Sequence, residues 1–260
     1  MIFSKKKQFE FQKNGFLIFR KIYSTKELSK LKKVSDKIIK LSIKKKVVSR
    51  NLDVRINLFN KNFSENIISN FINLAIKKKI VRFSEQLINS KLKIRYPYVI
   101  FTETSNQYWH QDSGFEGAID RTKFPKNFSL KKWKSELPFS QIQFNIPLYD
   151  DSYLWVVPGS QTRKLKKTEK NILNHSLKTK KLALKRMENR ININLKAGDC
   201  LMYHPLIIHA RHSIEKTKRQ TLHWYWVARK KYNPFYQNTP SLHKNTFNNL
   251  SNYLREMFYY

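Results

Sequence analysis

The chain has 260 residues, 40% hydrophobic and 14% aromatic, with only five glycines and eight prolines. This composition excludes a disordered or fibrous protein and allows one domain with a large core. The formal charge of +34 comes from 39 lysines and 13 arginines against 18 acids, spread along the whole length, so it reads first as compositional and only then as the mark of an anionic substrate or a polyanion.

Cys200 is the only cysteine, which rules out an intramolecular disulfide and a cysteine-rich zinc site and suggests a small buried hydrophobe. No apolar stretch has the length of a signal peptide core or a transmembrane segment, so a reducing cytoplasm is the expected setting.

In chain order, Asn14-Gly15 reads as a turn and "FLIFRKI" as a short strand. Ser24 or Thr25 then caps a helix with Glu27 in its first turn. Leu28, Leu31, Val34, Ile38 and Leu41 form its buried stripe, opposite a lysine-rich solvated face. One further helical stretch is expected through "SENIISNFINLAIKKKIVRFSEQLI", with Ile67, Phe71, Leu74 and Ile80 inward and Lys77–Lys79 solvated or at a helix end.

From about residue 92 the character changes. "LKIRYPYVIFTET", "SQIQFNIPLYD", "SYLWVVPGS", "ININLKAGDCLMYHPLIIHARHS" and "KRQTLHWYWVARK" are β-branched or aromatic runs broken by Gly, Pro, Asn and Asp. Short strands after leading helices, not alternated with crossover helices, predict a β-sandwich or barrel rather than a parallel doubly wound sheet. A single domain over 1–260 is expected, with a helical part to about 90, a β core over about 92–232 and a short segment over 233–260. The polar stretches 116–138 and 161–190 have the length of substrate loops.

The chemistry concentrates in two places. "YWHQD" sets His110 and Asp112 two apart, so on an extended backbone both point the same way. "AGDCLMYHPLIIHARHS" opens on a Gly198-Asp199 turn and carries His204, His209 and His212 on one apolar strand. His110, Asp112 and His209 together make a two-histidine, one-carboxylate set, which holds Fe(II) on one face and leaves three positions open. His212 is the rival third ligand. A two-oxo acid fills two open positions and dioxygen the third. The acid's far carboxylate needs a cation, and Arg219 suits it because a guanidinium forks onto a carboxylate. Strand alternation puts Arg219, Thr221 and His223 on one face, with Thr221 a candidate hydroxyl donor. Asp150-Asp151 reads as a turn. Trp109, Trp155 and Trp224 read as core.

These segments resemble the phytanoyl-CoA dioxygenase family of iron- and 2-oxoglutarate-dependent oxygenases over nearly the whole chain. "FQKNGFLIFRKIYSTKEL" is similar to the family's opening strand and helix, "YWHQD" to its His-x-Asp segment, and "DDSYLWVVPGSQ" to its strand and Pro158-Gly159-Ser160 turn. "AGDCLMYHPLIIHARHS", followed by Arg219, is similar to its distal histidine and arginine. Three features depart from the pattern: Arg211 and His212 where small residues are usual, no lysine in "VIFTETSN", and Gln161 where histidine often follows the turn.

The resemblance implies a double-stranded β-helix, of the jelly-roll or cupin-like kind, with helices packed outside. It implies iron on His110, Asp112 and His209, the far carboxylate of 2-oxoglutarate on Arg219, and dioxygen as oxidant. The spacing of seven residues from His212 to Arg219 is short for the family, which favours His209. The retained carboxylate Asp112 points to hydroxylation rather than halogenation. The expected reaction is hydroxylation of a small-molecule metabolite with release of succinate and CO2. Arg121, Lys123, Arg163 and Lys164 in the polar stretches point to an anionic substrate. A nucleic-acid-directed oxygenase or a polyanion-binding protein on the same fold is the alternative.

Overall fold

The computed structural model describes residues 3–45, 55–57, 63–94, 98–101, 106–112, 141–179, 187–212, 218–229 and 244–258. Helix α1 (Lys5–Asn14) begins at Ser4, whose side chain accepts from the Lys7 amide, and ends at Gly15. Gly15 adopts φ 82°, the left-handed conformation that lets its N–H return to the Phe11 carbonyl. Strand β1 (Phe16–Phe19) follows. Helix α2 (Thr25–Lys44) starts with a full capping box: the Ser24 hydroxyl accepts from the Glu27 amide, and the Glu27 carboxylate accepts from Ser24. Leu31, Ser35, Ile38 and Ser42 are its buried face.

The expected second helix is two helices, α3 (Glu65–Ala75) and α4 (Lys78–Ile88). Ile76 and Lys77 are extended and turn the chain between them. Ile76 is buried there, and Lys77 pairs with Glu27 at 2.6 Å, which offsets a cation at a helix N-terminus. The periodicity continues across the break because both helices bury one face in the same core.

Seven strands form one antiparallel sheet. They are β1, β2 (Arg55–Asn57), β3 (Leu92–Ile94), β4 (Tyr98–Phe101), β6 (Gln141–Pro147), β9 (Cys200–Tyr203) and β11 (Thr221–Ala228). Its order is β1-β9-β6-β11-β4-β2, with β3 pairing the far end of β11. A four-stranded antiparallel sheet has the order β5-β10-β7-β8, from β5 (Gln107–His110), β7 (Asp151–Val157), β8 (Ile191–Leu195) and β10 (Ile208–Arg211). Residues 200–212, read as one strand, are two strands in different sheets. Between them the His204-Pro205 turn carries the chain across, with His204 Nδ1 accepting from the Leu206 amide.

Alternation along the strands assigns each face of the larger sheet. Ile142, Phe144, Ile146, Leu222, Trp224 and Trp226 face the helices in one core. Their alternates Gln143, Asn145, Thr221, His223 and Tyr225 face the smaller sheet. Between the sheets, Leu154, Val156 and Ile193 pack on Leu201 and Tyr203. Behind the smaller sheet, α5 (Lys167–Thr179) contributes Leu173 to a third cluster with Trp109, Val157 and Ile208. The C-terminal helices α6 (Lys244–Asn248) and α7 (Asn252–Arg255) lead into Met257 and Phe258, which are buried in the main core.

Candidate metal centre and co-substrate pocket

The antiparallel pairing of β5 with β10 sets His110 directly opposite His209. Asp112, just past β5, is held there by its amide, which donates to the Pro205 carbonyl at 2.9 Å. One potential ligand atom from each of His110, Asp112 and His209 lies within 4.8 Å of the others. The carboxylate sits between the rings, Oδ1 at 3.3 Å from His110 Nε2 and Oδ2 at 3.4 Å from His209 Nε2. Gln143 Nε2 donates to Oδ2 at 2.5 Å.

The donor chemistry of this set fits a divalent cation. His110 Nδ1 lies 2.7 Å from the Tyr108 carbonyl and His209 Nδ1 lies 2.8 Å from the Ile207 carbonyl. A carbonyl only accepts, so each Nδ1 carries the proton and each Nε2 presents a lone pair. Two lone pairs then face two carboxylate oxygens, an arrangement that calls for a cation between them. Burial disfavours the charged His209 ring, but Asp112 outweighs it and raises the His209 pKa. Burial, reinforced by His209, lowers that of His110. Burial would raise the Asp112 carboxyl, but the two histidines hold it well below the usual range.

The triad opens into a cavity of about 130 Å³, far more than the roughly 10–15 Å³ that one water needs. It is lined by the triad together with Asn145, Tyr203, Arg211, Arg219, Thr221 and His223, among others. Arg219, Thr221 and His223 thus share one face, as the alternation predicted. Among the described residues, the lining holds two arginines and no lysine, so the lysine excess does not converge on the pocket.

Several residues take roles that differ from their sequence reading. Asp150 does serve a turn, accepting from Lys196 Nζ and the Ala197 amide. Asp151 is buried, accepts from the Tyr153 amide on Oδ1, and on Oδ2 accepts from Arg219 Nε at 3.0 Å and Thr221 Oγ1 at 2.8 Å. Arg163 is paired through both terminal nitrogens with the buried Glu169, which removes it from the cations offered to a substrate. His212 meets Asn106 instead of the triad. Gln161 donates to the Gln12 carbonyl and packs on Gly15, tying the Pro158-Gly159-Ser160 turn to the end of α1. Cys200, Trp109 and Trp224 are buried core, and Trp155 is partly so. Arg121, Lys123 and the stretch 116–138 lie outside the described residues.

Sequence reading missed Asn145, Tyr203 and Arg211 in the lining. A signal exists for the first: "QIQFNI" alternates like a solvent-facing strand, yet Gln141, Gln143 and Asn145 are buried. Buried polar alternates on a central strand mark a cavity.

The model of the family "Phytanoyl-CoA dioxygenase (PhyH)" matches residues 149–215, a segment that contains Asp151, the Pro158-Gly159-Ser160 turn and His209. No curated protein matches the sequence. Among solved structures, the carbocyclase SnoK from nogalamycin biosynthesis, described as non-heme and alpha-ketoglutarate dependent, is 13% identical. It superposes with a TM-score of 0.59 over 91% of this chain and 88% of its own. EctD from S. alaskensis with 2-oxoglutarate and 5-hydroxyectoine is 14% identical, with a TM-score of 0.58 over 90% and 79%. The epimerase SnoN, also from nogalamycin biosynthesis, is 15% identical, with a TM-score of 0.56 over 90% and 86%. The chain therefore has the fold of these enzymes. The family match, with that fold, gives the class: a non-heme iron, 2-oxoglutarate-dependent oxygenase similar to phytanoyl-CoA dioxygenase. Iron and 2-oxoglutarate are the cofactor and co-substrate of that class. Among the described residues, no helix is long and apolar enough to cross a membrane.

Proposed function

We propose that the protein hydroxylates an unactivated C–H bond of a small, anionic metabolite, with His110, Asp112 and His209 as iron ligands and Arg219 as the partner of the 2-oxoglutarate distal carboxylate. The observation that carries this reading is the cluster of two Nε2 lone pairs and one carboxylate at the mouth of a cavity that Arg219 also lines. When bound, iron with 2-oxoglutarate and dioxygen supplies the oxidising power, and 2-oxoglutarate leaves as succinate and CO2.

The chain's own residues have four tasks. The backbone carbonyls of Tyr108 and Ile207 hold both imidazoles in the ligating tautomer. Gln143 fixes the Asp112 carboxylate so that it approaches from one side. Arg219 orients the oxo acid by its far end. Arg211, His223 and Asn145 face the remaining space, and a guanidinium there favours an anionic substrate. His223 Nδ1 is held by Asn145 Oδ1 at 2.7 Å, which sets the ring for contact with the substrate.

Incubating the iron-loaded protein with 2-oxoglutarate and a panel of small metabolites tests this reading. Succinate release should rise only with a matching substrate and vanish in His110→Ala, Asp112→Ala and His209→Ala. Full turnover by Asp112→Ala would overturn it.

A further inference from the structure

We infer that Asp151 is a positioning residue for the co-substrate: it fixes how Arg219 presents its guanidinium and carries the contribution of Thr221. The inference rests on the assignment of the pocket to a 2-oxo acid.

Asp151 begins β7 in the smaller sheet, while Thr221 begins β11 in the larger one, with Arg219 just before it. One carboxylate therefore pins the two sheets together at the edge of the cavity. It is 6% exposed and accepts three hydrogen bonds: the Tyr153 amide at 2.9 Å, Arg219 Nε at 3.0 Å and Thr221 Oγ1 at 2.8 Å. The Tyr153 ring lies 5.5 Å from Arg219 Cζ, so the guanidinium also has an aromatic neighbour.

Two consequences follow from donor counting. A guanidinium offers a carboxylate either its Nε and one terminal nitrogen or its two terminal nitrogens. The bond from Nε to Asp151 fixes the plane in which the guanidinium lies at the pocket wall. A threonine hydroxyl has one proton, and Thr221 gives it to Asp151. Its oxygen then has no proton to donate to a co-substrate carboxylate. Thr221 serves the pocket by holding Asp151 in place, and the carboxylate in turn holds Arg219.

The test uses the full chain, loaded anaerobically with Fe(II) and titrated with two oxo acids. 2-Oxoglutarate has the distal carboxylate; 2-oxopentanoate has the same oxo-acid head and lacks it. Binding is read by calorimetry and by charge-transfer absorption, for the wild type, Asp151→Ala and Asp151→Asn. A lost hydrogen bond to a charged group corresponds to about tenfold or more in affinity. Asp151→Ala is expected to weaken 2-oxoglutarate about tenfold or more while leaving 2-oxopentanoate and Fe(II) affinities within about twofold. Asp151→Asn preserves the shape and removes the charge, and it should show the same selective loss. It carries the test alone if the alanine variant does not fold. Equal losses for both acids, or no loss for either, would overturn the role of Asp151 while leaving the pocket assignment intact. A wild type that binds neither acid would instead overturn the pocket assignment itself.

Discussion

His110 and His209 are cross-strand partners, 99 positions apart in sequence, with ring centroids 4.2 Å apart. The β5–β10 ladder thus does the work of assembling the centre. A single-residue slip would turn one imidazole toward the opposite face. Trp109 and Ile208, each beside one of the histidines, are buried in the cluster behind the sheet and hold the register.

Gln143 touches Asp112 from the larger sheet. Gln143→Leu should leave the fold intact and weaken metal affinity about 10–100-fold, the usual cost of removing an outer partner of a ligand. Isothermal titration with Fe(II) or a redox-inert surrogate such as Co(II) reads the change.

Glu169 gives a pH-dependent prediction. Burial would raise its carboxyl, but Arg163 and the Lys166 amide hold it below the usual glutamate range. A depressed folded pKa means that the stabilisation is fully present above the unfolded value, about 4.3, and is lost as pH falls through the lower folded value. Glu169→Gln should destabilise the protein by about 1.5–3 kcal/mol at neutral pH, as for a hydrogen bond to a charged group. In urea titrations, that gap from wild type should narrow below about pH 4.

The α2 capping box should be separable from the chemistry. Ser24→Ala removes the acceptor for the Glu27 amide and should cost about 1 kcal/mol. Melting should fall by roughly 2–4 °C with no change in metal affinity.

Gly15→Ala should be more severe. The position needs φ 82°, and an added Cβ would come 2.4 Å from Gln161 Oε1. A loss of about 1–3 kcal/mol is expected from strain and displacement of Gln161, read as a lower urea midpoint.

Most strands and their faces were legible because β-branched and aromatic runs alternate around few Gly and Pro residues, whereas β2 lies in the part read as helical. Arg219, Thr221 and His223 were placed on one face by period alone, and all three line the cavity. His110, Asp112 and His209 were grouped by donor chemistry, and they lie together. Other features were not legible because they depend on partners far along the chain. Helix α1 has weak apolar patterning, with only Phe11 buried, so its cap residues were its only clear signal. The break at Ile76 leaves the hydrophobic period nearly unbroken, and tertiary packing decides it. The turn after Tyr203 hides inside an apolar run. Asp151 resembles any turn aspartate until Arg219, 68 residues later, is brought against it.

The central claim is one divalent metal held by His110, Asp112 and His209, and anaerobic titration of Fe(II) tests it most directly. The wild type should bind one equivalent per chain, and 2-oxoglutarate should then produce a charge-transfer absorption that Asp112→Ala and His209→Ala both lack. Iron binding of undiminished affinity in both variants, with the same absorption, would contradict the account.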